Sequence, residues 1–361
     1  LSQEQIRLRR AIDRLCRQRD AYASRLFWYT DFQKALDTAK QQKKPVVTLR
    51  LLGNLDEEIS CANSRYFRTV LYSNSAVSKM LREHFILHWE SVRPVPRITI
   101  DFGDGRTVER TITGNSIHYI LDSQGGLVDA FPGLYGARTF LQGLSNARSF
   151  LRFADSRKEE ERSALLAEYH ERLRNSILGS WKRDLQRLGK KFAPQEVNLA
   201  AMRTPRTGFF PRSAVRAGAV AMSKSMVELP ILRSMLPERA DLSEATQDWD
   251  AIAKLHFREA RLDPASLAFL KRKHLRDCVV GKEAELEKVL ANFQKTVARD
   301  TVYNEYVFRC QILEWLAADN PEPDLKALNE RVYADLFLTP SSDPWLGLVP
   351  PATYAALETS R

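Results

Sequence analysis

Cysteine is scarce: four in 361 residues, at 16, 61, 278 and 310, with no two spaced C-x-x-C. That spacing excludes a disulfide framework and a paired zinc-ligand site. No run approaches the roughly eighteen continuous apolar residues that span a bilayer, so no transmembrane segment is expected. A glycine-rich phosphate loop, zinc-finger spacing and an RNA-recognition signature are all missing, and no repeat period supports a solenoid. A signal-peptide pattern is missing too, but the chain begins at Leu1. The compartment stays open; if an N-terminal segment has been removed, a periplasmic or secreted location is expected over a cytoplasmic one.

What is present is the composition of a globular protein, 44% hydrophobic and 28% charged. Its length exceeds one ordinary core and sets an expectation of two domains. Net charge is +10, and part of the excess is local: residues 1–50 hold twelve Lys/Arg against five Asp/Glu. Arg203, Arg206, Arg212 and Arg216 form a second basic stretch around Phe209 and Phe210. Basic residues near aromatics bind nucleic acid in some proteins. With no supporting motif, a solvated basic surface is expected instead, and nucleic acid is not an expected partner.

Hydrophobic periodicity predicts a charged helix over 2–25 and a second from Trp28 to Lys43, with Phe32, Leu36 and Ala39 at helical spacing. An apolar strand over 45–52 follows, then a loop carrying Asp56, Glu57 and Glu58 toward Cys61. Helices are expected over 63–72 and 76–83, the latter turning Val77, Met80 and Leu81 inward, and a strand over 85–89. Residues 97–102 alternate, Gly103-Asp104-Gly105 turns, and 106–113 alternate back as a hairpin. Asp101-Phe102-Gly103 is therefore a turn and not a kinase motif. Strands over 117–121 and 127–130 flank the turn Asp122–Gly126, and a helix begins near Tyr135. Beyond about 145 the pattern is helical, with Leu286, Val289, Leu290, Phe293 and Val297 on one face and a similar stripe over 303–317. Pro194, Pro205 and Pro211 mark an irregular connector. Pro340, Pro344, Pro350 and Pro351 around Trp345 suggest a strap packed on the surface.

Cys61 lies after the first strand and before a helix, where a helix N-terminus favours the thiolate, the reactive form. Lys43-Lys44-Pro45-Val46-Val47 resembles the lysine-proline lead into the first central strand of bacterial thioredoxin-like proteins. Cys61-x-x-Ser64 occupies the motif position. Asn74 to Val77, Leu81 and Phe85 fall at that family's second-helix segment and next strand. Ile117 to Gly125 resembles its strand ending in Leu-Asp and a glycine turn, and Phe131-Pro132-Gly133 its late glycine. The resemblance covers roughly 30–145. It implies an α/β thioredoxin-like domain, a mixed sheet flanked by helices, joined to a mainly α-helical C-terminal domain over 146–338. Residues 1–29 would be a helical lead-in and 339–361 a proline-rich tail. The whole chain also looks similar to bacterial proteins that join such a domain to a helical tail, a likeness that imports no activity. Two departures stand out. The resolving-cysteine position is Ser64, as in monothiol relatives, and the usual cis-proline position is Ser116 or Asn115.

Two functions follow as expectations. In the first, Cys61 is the nucleophile of a monothiol redox protein acting on a disulfide, mixed disulfide or peroxide, with Ser64 donating a hydrogen bond to the thiolate and Arg65 adding positive charge. In the second, the domain has lost catalysis and is a binding or assembly module, with the helical half and basic lead-in docking a larger partner. Either way a protein partner is expected, and no dissociable cofactor is required. His118 and His88 are expected to be structural, though with Cys61 they would supply the soft donors of a three-ligand copper site. Asp56, Glu57 and Glu58 would oppose a thiolate if close, and a solvated loop is the expected reading. Cys310 reads as a core thiol beside Tyr306, Leu313 and Leu316. Cys278 reads as either core or surface, and Cys16 as partly exposed. Met222, Met226 and Met235 read as core or groove filler and not as a copper-binding methionine motif. Asp248, Asp250 and His256 show no recognisable partner spacing.

Overall fold

The structure, a computed structural model, describes residues 2–111, 114–190, 243–277, 283–318, 324–344 and 346. The proline connector, the arginines around Phe209 and Phe210, the three methionines, Cys278, Trp345, Pro350 and Pro351 lie outside them.

Strand β1 (Val46–Leu52) is apolar along almost its whole length because both of its faces are covered. It pairs in parallel with β2 (Ile86–Arg93) and antiparallel with β5 (Ser116–Leu121), and β5 pairs antiparallel with β6 (Leu127–Pro132). The sheet is mixed and runs in the order β2-β1-β5-β6. Tyr29 extends its edge: its N–H donates to the Leu87 carbonyl (2.8 Å) and its carbonyl accepts from Trp89 (3.0 Å). The register aligns Thr48 with His88 and Tyr119, and Leu49 with Trp89 and His118. Because adjacent strand residues point to opposite faces, His88 and His118 lie on opposite sides of the sheet. The expected hairpin, β3 (Arg97–Asp101) and β4 (Thr107–Thr111), forms a separate two-stranded sheet.

Helix α1 (Gln3–Cys16) stops at Arg17, which takes a left-handed conformation (φ 50°), and the short α2 (Ala21–Ser24) follows. The single helix expected over 2–25 is therefore broken. Gln18 explains the break: it donates to Ser24 Oγ (2.8 Å) while its Oε1 accepts from the buried Trp28 indole (2.8 Å). Trp28 is thus committed to that loop, and α3 (Phe32–Gln42) starts only after the Asp31 cap. Asp13 is buried and accepts from Ala21 N–H (2.9 Å), which turns Leu8 and Leu15 outward, 61% and 71% exposed.

Helix α4 (Ala62–Tyr66) continues into a π-helical turn (Phe67–Leu71), and α5 (Ser75–His84) is capped by Asn74. Helices α6 (Ala137–Ala154) and α7 (Glu159–Arg187) follow β6. The helical region then comprises α8 (Ser243–Leu255), a 3₁₀ turn (Phe257–Ala260), α9 (Pro264–Asp277) and α10 (Glu283–Tyr303). A π-helical turn (Asn304–Arg309) leads into α11 (Cys310–Ala317), and α12 (Leu325–Arg331) runs into another (Val332–Leu336). On α10, Leu286, Leu290 and Val297 are buried as expected. Val289 is half-exposed because it sits at the edge of that stripe. No helix among the described residues is long and apolar enough to cross a membrane.

Buried apolar residues from Leu26 to Leu346 form one continuous cluster. Its polar clasp is Arg309. Its guanidinium makes two hydrogen bonds to the buried Asp129 of β6 (3.2 and 2.6 Å) and a third to Glu305 (2.7 Å), and lies over the Phe131 ring (4.2 Å). Removing one partner of such a pair leaves an uncompensated charge, at about 3–5 kcal/mol.

Candidate functional site

Cys61 is the N-cap of α4, and its sulfur accepts the Ser64 backbone N–H at 3.4 Å. The local sequence favours this, because a short polar side chain leaving a loop can satisfy one of the free N–H groups of a first turn. Cys61 is wholly buried. Gly114 lies directly against it: a Cβ on that glycine would stand 2.3 Å from Cys61 Cβ and 3.1 Å from its sulfur. The neighbouring Asn115 is itself held down. Its carbonyl accepts from Leu52 N–H (3.2 Å) and the Tyr333 hydroxyl (3.1 Å), and its amide donates to Thr339 (3.4 Å). Arg93 fixes the last segment by donating to the Thr339 carbonyl (2.6 Å) and the Asp343 carbonyl (2.9 Å). Residues 333–343 therefore form a strap over the loop that covers Cys61, with Thr339 buried in it; most of the expected proline-rich strap lies outside the described residues.

Ser64 is buried and faces Cys61 with its backbone. Its hydroxyl has no hydrogen-bond partner among the described residues. The Arg65 guanidinium reaches Thr111 Oγ1 (3.3 Å). Asn63 donates to Ser116 Oγ (2.6 Å), tying the start of α4 to the first residue of β5. No peptide bond among the described residues is cis, including those at Asn115 and Ser116.

The carboxylates before Cys61 lie at the solvent edge, as expected, and pair with basic side chains there. Glu57 pairs with Arg97 (2.9 Å) and Glu58 with Arg19 (2.5 Å). Burial raises the half-buried Asp56 carboxyl above its usual range. Arg68, about two turns beyond Cys61, was not singled out by sequence reasoning. It is wholly buried and donates to the Glu58 carbonyl (3.3 Å) and Ser60 Oγ (3.2 Å).

A copper site built from Cys61, His88 and His118 is ruled out by the strand register, which sends the two imidazoles to opposite faces. His88 shares a hydrogen bond with Thr48 Oγ1 (2.7 Å), and His118 with the Tyr72 hydroxyl (2.6 Å). Burial lowers both rings to about 3, so they are neutral structural groups. Among the described residues no cluster of three or more His, Cys, Asp or Glu side chains has metal-ligating geometry. Cys310 is buried as expected, its thiol pushed up to about 12 mainly by desolvation.

A second polar cluster gathers residues distant in sequence. His256 Nε2 lies 2.5 Å from Asp184 of α7, and Nδ1 lies 3.1 Å from Glu259. Tyr306 also donates to Asp184 (2.6 Å), and Thr139 to Glu259 (2.8 Å). Only the 256/259 pair has a spacing visible in sequence, the i,i+3 of one helical turn.

Neither a protein-family model nor a curated protein matches this chain.

Proposed function

We propose that this chain is a thioredoxin-like module that has given up thiol chemistry and serves as a binding or assembly unit for a partner protein. The thioredoxin-like part of this reading is supported by the sheet order β2-β1-β5-β6, parallel in its first pair and antiparallel in the rest. Cys61 at the start of the helix after the first strand supports it as well. The loss of catalysis rests on one observation: Cys61 is wholly buried beneath Gly114, under a strap anchored by Arg93. A thiolate must reach its substrate's sulfur or oxygen in line, so reactivity follows access as much as charge.

The monothiol redox reading is the second one. It is favoured by the Ser64 N–H aimed at the sulfur, a contact that stabilises a thiolate wherever solvent can reach it. Alkylation of Cys61 in the native protein, followed against pH with Cys61→Ser as blank, separates the two. On the assembly reading labelling is slow, and its rate tracks unfolding as denaturant is added. Rapid labelling of the folded protein, with a midpoint well below the free-thiol value of about 8.5, would reverse the order of the two readings.

A further inference from the structure

A groove of about 650 Å³ opens where α1, the turn after it, the loop before Cys61 and α9 converge. Its carboxylates are already neutralised. Asp13 and Glu58 pair with Arg19 (3.2 and 2.5 Å), while Asp20 pairs with Lys273 (2.7 Å) and the buried Arg68 (3.7 Å). Arg9, Arg10 and Arg272 line the same groove and have no ion-pair partner among the described residues. A second groove of about 320 Å³ shares Arg10, Asp13 and Arg19 with the first and adds Arg14 and Arg17, which also have no ion-pair partner there, together with Asp56. The basic lead-in seen in the sequence is thus folded into one continuous cationic trough over a charge-balanced floor.

The groove also has apolar lining: Ile6, one turn before Arg9 and Arg10 on α1, and Tyr22 line it, together with the buried Phe269 of α9. Tyr22 meets Phe269 edge to face (5.8 Å), and the Arg9 guanidinium lies over the Tyr22 ring at 4.0 Å. This arrangement discriminates between polyanions. Single-stranded nucleic acid needs open aromatic faces on which bases stack, and the Tyr22 face is occupied. A polypeptide that alternates carboxylates with apolar side chains does not depend on base stacking. Its acids find forked guanidiniums, and its apolar groups find the partly exposed Ile6 and Tyr22.

We infer that this trough is the docking site for an acidic, apolar-interleaved segment of a partner protein, which rests on the assembly reading above and names the chemistry of the partner. The probe is a fluorescein-labelled peptide alternating Glu and Leu, titrated against the full chain by anisotropy. An all-Glu peptide and an oligothymidylate of equal length serve as comparisons. The Glu-Leu peptide binds most tightly and weakens with salt. Arg10→Glu with Arg272→Glu weakens it by about tenfold or more, whereas Arg10→Lys with Arg272→Lys retains most of it. Ile6→Ser erases the preference over all-Glu. Absence of peptide binding, or tighter binding of the oligonucleotide, overturns the inference. An unchanged thermal melt of the charge-reversed protein keeps the comparison one of binding rather than folding. Rapid alkylation of folded Cys61 would undo the assembly reading yet leave this result standing, so the two failures are distinguishable.

Discussion

Gly114 matters here for the room it leaves, and no left-handed backbone is involved. Cys61 sits where a side chain on residue 114 would be, so the pair is a single packing unit made from two chain segments. Gly114→Ala forces those segments apart and is expected to destabilise the protein by about 1–3 kcal/mol, the range for overpacking a tight core. Cys61→Gly removes the atom that the new methyl meets, so in the double variant part of the loss is recovered even though each single change destabilises. Urea denaturation of the four proteins measures that coupling; strictly additive losses would show that the contact is not the cause. The sequence marks Cys61 clearly, through its place between strand and helix, but not its accessibility. The covering groups are a glycine more than fifty positions away and a strap beyond residue 330, and no local pattern joins them.

At the scale of elements, His256 joins three of them. Neutral imidazole has one N–H, so donation to both Asp184 and Glu259 requires the imidazolium. The hydrogen bond to Glu259, with that to Asp184, raises the ring above its ordinary value despite partial burial, and the Glu259 carboxyl is lowered in turn. Around this contact, α7 also brings Arg187, 3.5 Å from Asp184; α6 brings Arg138, whose charge acts on Glu259; and the chain after α10 brings Tyr306. The raised histidine contributes stability fully below its unfolded value of about 6.5, and loses it as pH rises through the folded one. The lowered Glu259 contributes above its unfolded value of about 4.3, and loses it as pH falls through the folded one. A stability plateau between those limits, declining on the alkaline side, is therefore expected in thermal melts. His256→Gln should flatten the alkaline decline, and identical slopes in the two proteins would remove His256 as its origin. Elements of this kind were unevenly legible. The strands β1, β5 and β6 and the β3–β4 hairpin follow from apolar runs and alternation. The break after α1 does not, because it is set by Gln18 and Trp28 bonding each other, and neither belongs to a periodic stripe.

At the scale of the molecule, Tyr29 and the strap of residues 333–343 close on the same sheet. Arg93 at the end of β2 carries the strap through two carbonyls, and the strap carries Asn115, which places Gly114 on Cys61. Arg93→Ala should therefore raise the rate of Cys61 alkylation by about tenfold, through more frequent local opening, with little change in the global melt. An unchanged rate would mean that the cover holds without that anchor. The mixed sheet and the helical character beyond residue 145 were readable in the sequence; their union in one apolar cluster was not, since it depends on Arg309 finding Asp129 far along the chain. The strap also has a consequence in time. The ribosome makes Cys61 early and the strap late, and at about ten residues per second roughly half a minute separates them. Throughout that interval the thiol lacks the strap, so the nascent chain is more open to an oxidant or reactive partner than the finished protein.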